Sequence, residues 1–204
     1  MKSFNAILTT IGRDSLRYML RSLAPQLQKQ DYLTVISDKD HERVATQLNK
    51  LRWRCDVNHI RNPVCLGHWG HGSRNRWQDT LPGDYFVNCD DDNAFCIHAF
   101  DTLRQCCLDK KLYLFKAYVG GQIRPPIQMI RKGEVDTNMM VFSPVKPLPT
   151  WEPVYGGDGL FCEKLAQILP VQMIPVPIFY YDYEWHLSMF PSWQDKHHEK
   201  SKKN

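Results

Sequence analysis

The stretch Tyr85-Phe86-Val87-Asn88-Cys89-Asp90-Asp91-Asp92 decides the fold prediction, because an apolar strand ends here in three consecutive carboxylates. Ligands of open α/β sheets bind outside the carboxyl ends of such buried strands. Three adjacent carboxylates are costly unless a cation offsets them, and Mg²⁺ or Mn²⁺ prefers oxygen ligands. Asp90 and Asp92 share one face, so the triplet predicts a divalent-cation site. The alternative is a solvated acidic turn that caps the next helix.

Outward from this stretch, apolar strands alternate with segments of helical spacing. The first half predicts strands at 5–10, 32–37, 55–60 and 85–89, with helices at 15–27, 41–51 and 74–81. The second half predicts helices at 98–108 and 160–169, and strands at 113–119, 127–130, 139–142 and 178–183. This alternation indicates an α/β fold with a mostly parallel central sheet and helices on both faces.

Length and composition fit one domain. The 204 residues are 43% apolar, and we expect a single domain over 1–193 followed by a charged, disordered tail at 194–204. No apolar run is long enough for a transmembrane helix, and the N-terminus lacks the features of a signal peptide. Seven cysteines without a CxxC pair indicate reduced thiols, so we expect a cytoplasmic protein.

Charge argues against a nucleic-acid partner. The formal net charge is +4, and the tail holds four lysines against two acidic residues, so half of the excess lies there. The remainder is too small for a basic nucleic-acid-binding face. A Cys65-x2-His68-x2-His71 pattern raises the alternative of zinc, but a structural zinc site needs a second ligand pair, and none follows nearby.

Five motifs in order carry a family resemblance. They are Thr9-Thr10-Ile11-Gly12-Arg13, Ser37-Asp38, the glycine-rich turn before Ser73-Arg74-Asn75, the DxD at Asp90-Asp91-Asp92, and Gly156-Gly157-Asp158-Gly159. Together, over about residues 4–190, they resemble GT-A fold nucleotide-sugar glycosyltransferases. The chain is also similar to compact chlorella-virus glycosyltransferase domains, which implies a viral protein of the host cytoplasm.

The resemblance implies a donor site. It assigns Thr10, Arg13 and Asp91 to the nucleotide end of the cleft, and Arg74 to the donor, where a guanidinium would suit a diphosphate. Asp38 would meet the base. Because a carboxylate only accepts hydrogen bonds, Asp38 favours a base with a ring N–H, which predicts UDP over CDP or ADP, with GDP as a competitor. The alternative is that Asp38 caps the next helix.

The resemblance also implies the residues at the sugar. Asp158 would be the catalytic carboxylate, as a general base in an inverting enzyme or an orienting group in a retaining one; the alternative is a helix cap. Trp151, Glu152 and Tyr155 would form an acceptor platform, or else pack the loop. His186 would join Asp90 and Asp92 as a third metal ligand.

These assignments lead to one hypothesis and two competitors. The hypothesis is a hexosyltransferase of glycan biosynthesis that uses Mn²⁺ or Mg²⁺ and moves a sugar from a UDP-sugar to a hydroxyl of a carbohydrate or glycoprotein acceptor. One competitor is a nucleotidyltransferase, against which the single glycine of Ile11-Gly12-Arg13 argues. The other is a non-catalytic module that binds a nucleotide-sugar or carbohydrate.

Overall fold

The first half of the chain alternates strands and helices. The computed structural model describes residues 1–124 and 130–183. The elements up to the acid triplet are β1 (Phe4–Thr10), α1 (Leu16–Leu23), β2 (Tyr32–Ser37), α2 (His41–Asn49), β3 (Asp56–Arg61), α3 (His71–Trp77) and β4 (Tyr85–Asp90). Short 3₁₀ helices flank α3 at His68–Gly70 and Gln78–Thr80. The predicted alternation is confirmed.

The second half is less regular. Its elements are β5 (Ala94–Phe95), α4 (Ala99–Cys106), β6 (Leu112–Val119), β7 (Gln122–Ile123), a 3₁₀ helix (Thr137–Met139), β8 (Met140–Phe142), α5 (Gly157–Ala166) and β9 (Val171–Tyr180). The described helices include none that is long and apolar enough to cross a membrane.

The described strands form one mostly parallel sheet. Its order is β3-β2-β1-β4-β8-β6-β9-β5, and β7 pairs with β6. The strands β1 to β4, β6 and β9 run in one direction, whereas β5, β7 and β8 run against it. Every residue of β1 is buried, and because successive side chains point to opposite faces, both faces are covered there. The mixed α/β prediction is confirmed.

Strand β8 connects the two halves at the end of β4. It lies antiparallel between β4 and β6, with Phe142 opposite both Phe86 and Leu112. The 3₁₀ helix Thr137–Met139 immediately precedes β8, so this insertion brings its polar residues to the carboxyl end of β4. That end carries the acid triplet.

The last strand starts earlier than predicted. Strand β9 begins at Val171 rather than at 178, although Pro175 and Pro177 lie inside it. Proline lacks a backbone N–H and is tolerated where a strand has one open side; β9 pairs with β6 along its length, but with β5 only at Phe179 and Tyr180. The predicted strand at 127–130 falls mainly outside the described residues.

Candidate functional site

The acid triplet meets the end of β1. Asp90 is the last residue of β4, and the register places Thr9 beside it. Thr10 then donates from Oγ1 to Asp91 Oδ2 over 2.6 Å and accepts from the Gly12 N–H at 2.9 Å. The structure therefore brings Thr10 together with the triplet at the carboxyl edge of the sheet.

Two arginines contact the triplet from different depths. Arg74 Nη2 lies 2.7 Å from Asp90 Oδ1, and Arg13 Nη1 lies 3.0 Å from Asp92 Oδ2 and 3.5 Å from Asp91 Oδ1. The Arg74 side chain is fully buried, with its guanidinium 4.9 Å from the Trp151 ring. Arg74 does not line the cavity and instead holds Asp90, so its predicted contact with the donor stays a prediction.

A buried asparagine fixes the backbone at the first carboxylate. Asn138 Oδ1 accepts from the Asp90 N–H at 3.0 Å, and the Asn138 N–H donates to Asp136 Oδ1 at 3.0 Å. Asn138 is fully buried. Sequence reasoning missed Asp136 and Asn138; the only local signal is their Asp-x-Asn spacing, which suits a capped turn.

Most of the predicted donor residues line one cavity of about 390 Å³. It lies between the carboxyl ends of β1, β2 and β4, the loop before α3, and the start of α5. The predicted site residues in its wall are Thr10, Arg13, Asp38, Asp90, Asp91, Asp92, Tyr155 and Asp158. Arg74, Trp151 and Glu152 do not line it.

The cavity concentrates negative charge. Burial, then the neighbouring Asp90 and Asp91, raise the pKa of Asp92 to about 6. Burial also raises the pKa of Asp91 and of Asp158. The pKa of Asp136 rises to about 8, through burial and then through Asp90. Carboxyl groups that disfavour their own ionisation in this way create a potential that favours a bound cation.

Asp38 holds the loop that forms one wall. It is 7% exposed, and its carboxylate accepts from Asn62 Nδ2 at 2.5 Å, Ser73 Oγ at 2.7 Å and the Gly67 N–H at 2.9 Å. All three donors lie in residues 62–73. The alternative that Asp38 caps α2 finds no support in these contacts, since none involves that helix.

The same loop approaches β1 closely. Gly70 has φ +82°, and a Cβ there would lie 2.2 Å from Thr9 Oγ1. Both the left-handed backbone and the contact require glycine. The approach sets the position of Trp69, which is 62% exposed and lines the cavity.

Asp158 lies in the first turn of α5, facing the triplet across the cavity. Gly156 precedes the helix with φ +74°, and Asp158 Oδ1 accepts from the Gly159 N–H at 3.0 Å. A Cβ on Gly159 would lie 2.5 Å from the Arg131 carbonyl oxygen. The glycines around Asp158 therefore allow close backbone packing. The carboxylate lines the cavity and accepts from the next N–H of the first turn, but it is not the N-cap of the helix, which is Gly156.

The three predicted acceptor residues lie in three different environments. Trp151 is 1% exposed and stacks on Phe161 at 3.9 Å, so the structure places it in the core with no free face. Glu152 pairs with Lys164 at 2.5 Å. Tyr155 is 80% exposed and contacts Trp69 edge to face at 6.4 Å. The aromatic rim is therefore formed by Tyr155 and by Trp69, which the sequence analysis did not assign to the site.

A second cavity of about 510 Å³ adjoins the first. The β6–β7 hairpin forms its outer wall. Five residues line both cavities: Asp136, Tyr155, Gly156, Asp158 and Tyr181. Two molecules bound in the two cavities would therefore meet beside Asp136 and Asp158.

The residues suit a cation that the protein coordinates only in part, with phosphates and water as the other ligands. Within residues 1–124 and 130–183, no three His, Cys, Asp or Glu side chains form a ready metal cluster. Asp90 and Asp92 supply two carboxylates, which suits Mg²⁺ completed by phosphates and water. His186 lies outside the described residues. The zinc pattern does not assemble, because Cys65, His68 and His71 form no group of three potential ligands in the described part of the chain.

Comparison with known proteins supports the fold. Neither a protein-family model nor a curated protein sequence matches the chain. The Staphylococcus aureus glycosyltransferase TarS matches with a TM-score of 0.67 at 15% identity, over 88% of this chain and 36% of that one. TarS 1–349 matches with a TM-score of 0.66 in two complexes: with UDP, at 15% identity over 93% and 64% of the chains, and with UDP-GlcNAc, at 13% over 89% and 58%.

This likeness shows a GT-A-like fold. At this level of identity it extends to the fold alone. The chain spans less than two thirds of these TarS chains.

Proposed function

We propose that the protein is a metal-dependent glycosyltransferase that moves a sugar, of hexosyl type, from a UDP-sugar to a hydroxyl group of a carbohydrate acceptor. One observation carries the proposal: a single cavity joins the acid triplet, the Asp38 loop and Asp158. Similarly folded TarS structures contain UDP and UDP-GlcNAc. The arrangement supplies a place for a nucleotide, a diphosphate and a reacting sugar.

Asp38 would select the base. Its two carboxylate oxygens offer about four acceptor positions. The loop donors Asn62, Ser73 and Gly67 occupy three of them, and the Cys65 thiol makes a weak fourth contact at 4.0 Å. Asp38 and Cys65 both line the cavity, and the ring N–H of uracil would replace the weak thiol contact. Guanine also presents such a group, so GDP-sugars are the competing donors.

Asp90 and Asp92 would hold Mn²⁺ or Mg²⁺ together with the donor phosphates. When bound, the cation supplies Lewis-acid stabilisation of the departing diphosphate, which contributes several kcal/mol to such reactions. Arg74 and Asn138 position Asp90 from below and from the side. Both contacts limit the movement of the first ligand.

The acceptor would bind in the second cavity. Its reactive hydroxyl would lie at the wall shared with the first cavity, where Asp158 can accept the proton as the bond to the sugar forms. In a retaining reaction the same carboxylate would orient the hydroxyl instead. Tyr155 offers an exposed ring for stacking against a sugar, since it is 80% exposed at the boundary of both cavities.

The test is a panel of UDP-sugars and GDP-sugars assayed for transfer and hydrolysis, with Mn²⁺ and with a chelator. We expect turnover of a UDP-sugar that the chelator abolishes, and a loss of turnover in Asp158→Asn. Asp79→Asn is the matched control, because Asp79 lies in neither cavity wall. Release of pyrophosphate would instead identify a nucleotidyltransferase, and binding of a UDP-sugar without turnover would identify a binding module.

A further inference from the structure

The two arginines at the acid triplet differ in their freedom to move. Arg74 is buried and donates to Asp90 Oδ1 at 2.7 Å, to the Cys89 carbonyl at 3.2 Å and to the Trp69 carbonyl at 3.3 Å. Its guanidinium also lies against the Trp151 ring. These contacts fix Arg74 in one position, so it is a permanent counter-charge for Asp90.

The contacts of the Arg13 side chain are with the triplet. Its side chain is 48% exposed and contacts Asp92 Oδ2 at 3.0 Å and Asp91 Oδ1 at 3.5 Å. In the described part of the chain its guanidinium has no other hydrogen-bond or ion-pair partner. The Arg13 carbonyl accepts from the Leu16 N–H at 3.3 Å, which ties the backbone to the start of α1 while the long side chain can swing through the cavity that it lines.

We propose that Arg13 occupies the place of the divalent cation beside Asp92 in the unliganded protein, and passes to the donor diphosphate when the cation binds. This inference rests on the proposed function. A bound Mg²⁺ needs carboxylate oxygens at about 2.0–2.1 Å, and Asp92 Oδ2, one of the two oxygens that could supply one, already accepts from Arg13. Two cations beside one carboxylate repel each other, and Arg13, unlike Arg74, can leave.

The diphosphate provides the new partner. Its oxygens match the planar fork of a guanidinium, which donates two parallel hydrogen bonds, and the cavity already brings Arg13 to the same space. Arg13 would thus oppose the cation in the absence of nucleotide and assist the nucleotide in the presence of the cation. These two roles have opposite signs, which makes them separable by binding measurements alone.

The experiment compares wild type with Arg13→Gln in two titrations. Mn²⁺ binding without nucleotide is followed by electron paramagnetic resonance, and UDP binding at saturating Mn²⁺ by calorimetry. Removing a competing unit charge a few ångströms away should tighten Mn²⁺ about fivefold. Losing a charge-assisted contact should weaken UDP about tenfold.

Two further variants separate charge from geometry. Arg13→Lys keeps the charge, so Mn²⁺ affinity should stay near that of wild type, while UDP affinity falls partway because the fork is lost. Arg43→Gln is the matched control: Arg43 is 42% exposed, pairs with Asp14 and Asp40, and lines neither cavity. Neither titration should change in this control.

The outcomes are distinct. Tighter Mn²⁺ and weaker UDP in Arg13→Gln support the exchange. Unchanged or weaker Mn²⁺ binding in that variant overturns it, as does failure of both proteins to bind Mn²⁺. Failure of wild type to bind UDP counts against the proposed function instead, and the comparison of Mn²⁺ affinities would still decide the role of Arg13.

Discussion

Replacing Asp38 with alanine should release the loop at residues 62–73 that forms one cavity wall, and should also weaken nucleotide binding. The change removes the acceptor for Asn62 Nδ2, Ser73 Oγ and the Gly67 N–H. Asn62 and Ser73 are each 1% exposed, so water cannot replace the lost partner without a local opening. Hydrogen bonds to a charged group contribute about 1.5–3 kcal/mol each. Local opening of the loop would let water replace part of what the three hydrogen bonds contribute together. We therefore expect the free energy of unfolding to fall by about 4 kcal/mol.

Urea denaturation of the ligand-free protein measures this loss. Asp38→Asn keeps an acceptor for Asn62 and Ser73 and loses the bond from the Gly67 N–H. The free energy of unfolding of this variant should therefore fall by about 2 kcal/mol. That milder variant is the one in which to measure UDP affinity, where we expect a weakening of about tenfold. The control is Asp56→Ala, an exposed position of β3, which should change stability by less than about 0.5 kcal/mol. A loss below about 1 kcal/mol in Asp38→Ala would refute the loop-anchoring role.

Three further outcomes follow from the same structure. Gly70→Ala should lower the free energy of unfolding by about 3 kcal/mol or more, because its Cβ meets a threonine hydroxyl. At Gly67, φ is 62° and ψ is −150° and a Cβ meets nothing within 4 Å, so Gly67→Ala should lower it by about 1–3 kcal/mol through backbone strain alone in the same urea titration. Burial raises the pKa of Asp136 from 3.8 to about 8, so the folded protein favours the protonated carboxyl. Its contribution to stability is complete below pH 3.8 and is lost as the pH rises to about 8. With a chelator present, the urea midpoint of Asp136→Asn should therefore depend less on pH between pH 5 and 8 than that of wild type, and an equal pH dependence in the two proteins would contradict this. Trp151→Ala should destabilise by about 3–5 kcal/mol, whereas Tyr155→Ala should leave unfolding within about 0.5 kcal/mol and raise the acceptor KM; equal losses of stability would contradict the assignment of one ring to the core and the other to the rim.

The sheet edge was predictable because its signals are local. Apolar runs such as Tyr85–Asp90 end abruptly in polar residues, and parallel strands place their carboxyl ends together. The meeting of Thr10, Asp38 and the triplet follows from that rule alone. The first half of the fold needs no information beyond chain order and periodicity.

The depth of individual side chains was not predictable. Arg74 lies on a short polar helix, and its burial depends on contacts with Asp90 and with the Trp151 ring, which are distant in sequence. The sequence left open whether Trp151 joins an acceptor platform or packs the loop, and the ring stacks on Phe161 in the core. Asn138 reaches Asp90 only because β8 inserts antiparallel beside β4. Each outcome depends on packing between segments distant in sequence, which periodicity does not record.

The contacts that shape the acid triplet also have a consequence for how the protein acquires its activity. Asn138 joins Asp90 across 48 residues, and Thr10 joins Asp91 across 81. Contacts of such long range form late, because the entropy of closing the intervening chain is lost before the contacts stabilise it. Because Thr9 pairs with Asp90 in the β1–β4 ladder, the Thr10 contact can form when these two strands pair, whereas the Asn138 contact cannot form before β8 docks. Asp90 should therefore be held less firmly until β8 has docked. The affinity for Mn²⁺ would reach its final value only when β8 docks. Mn²⁺ binding followed during refolding would therefore report on the docking of β8 into the sheet.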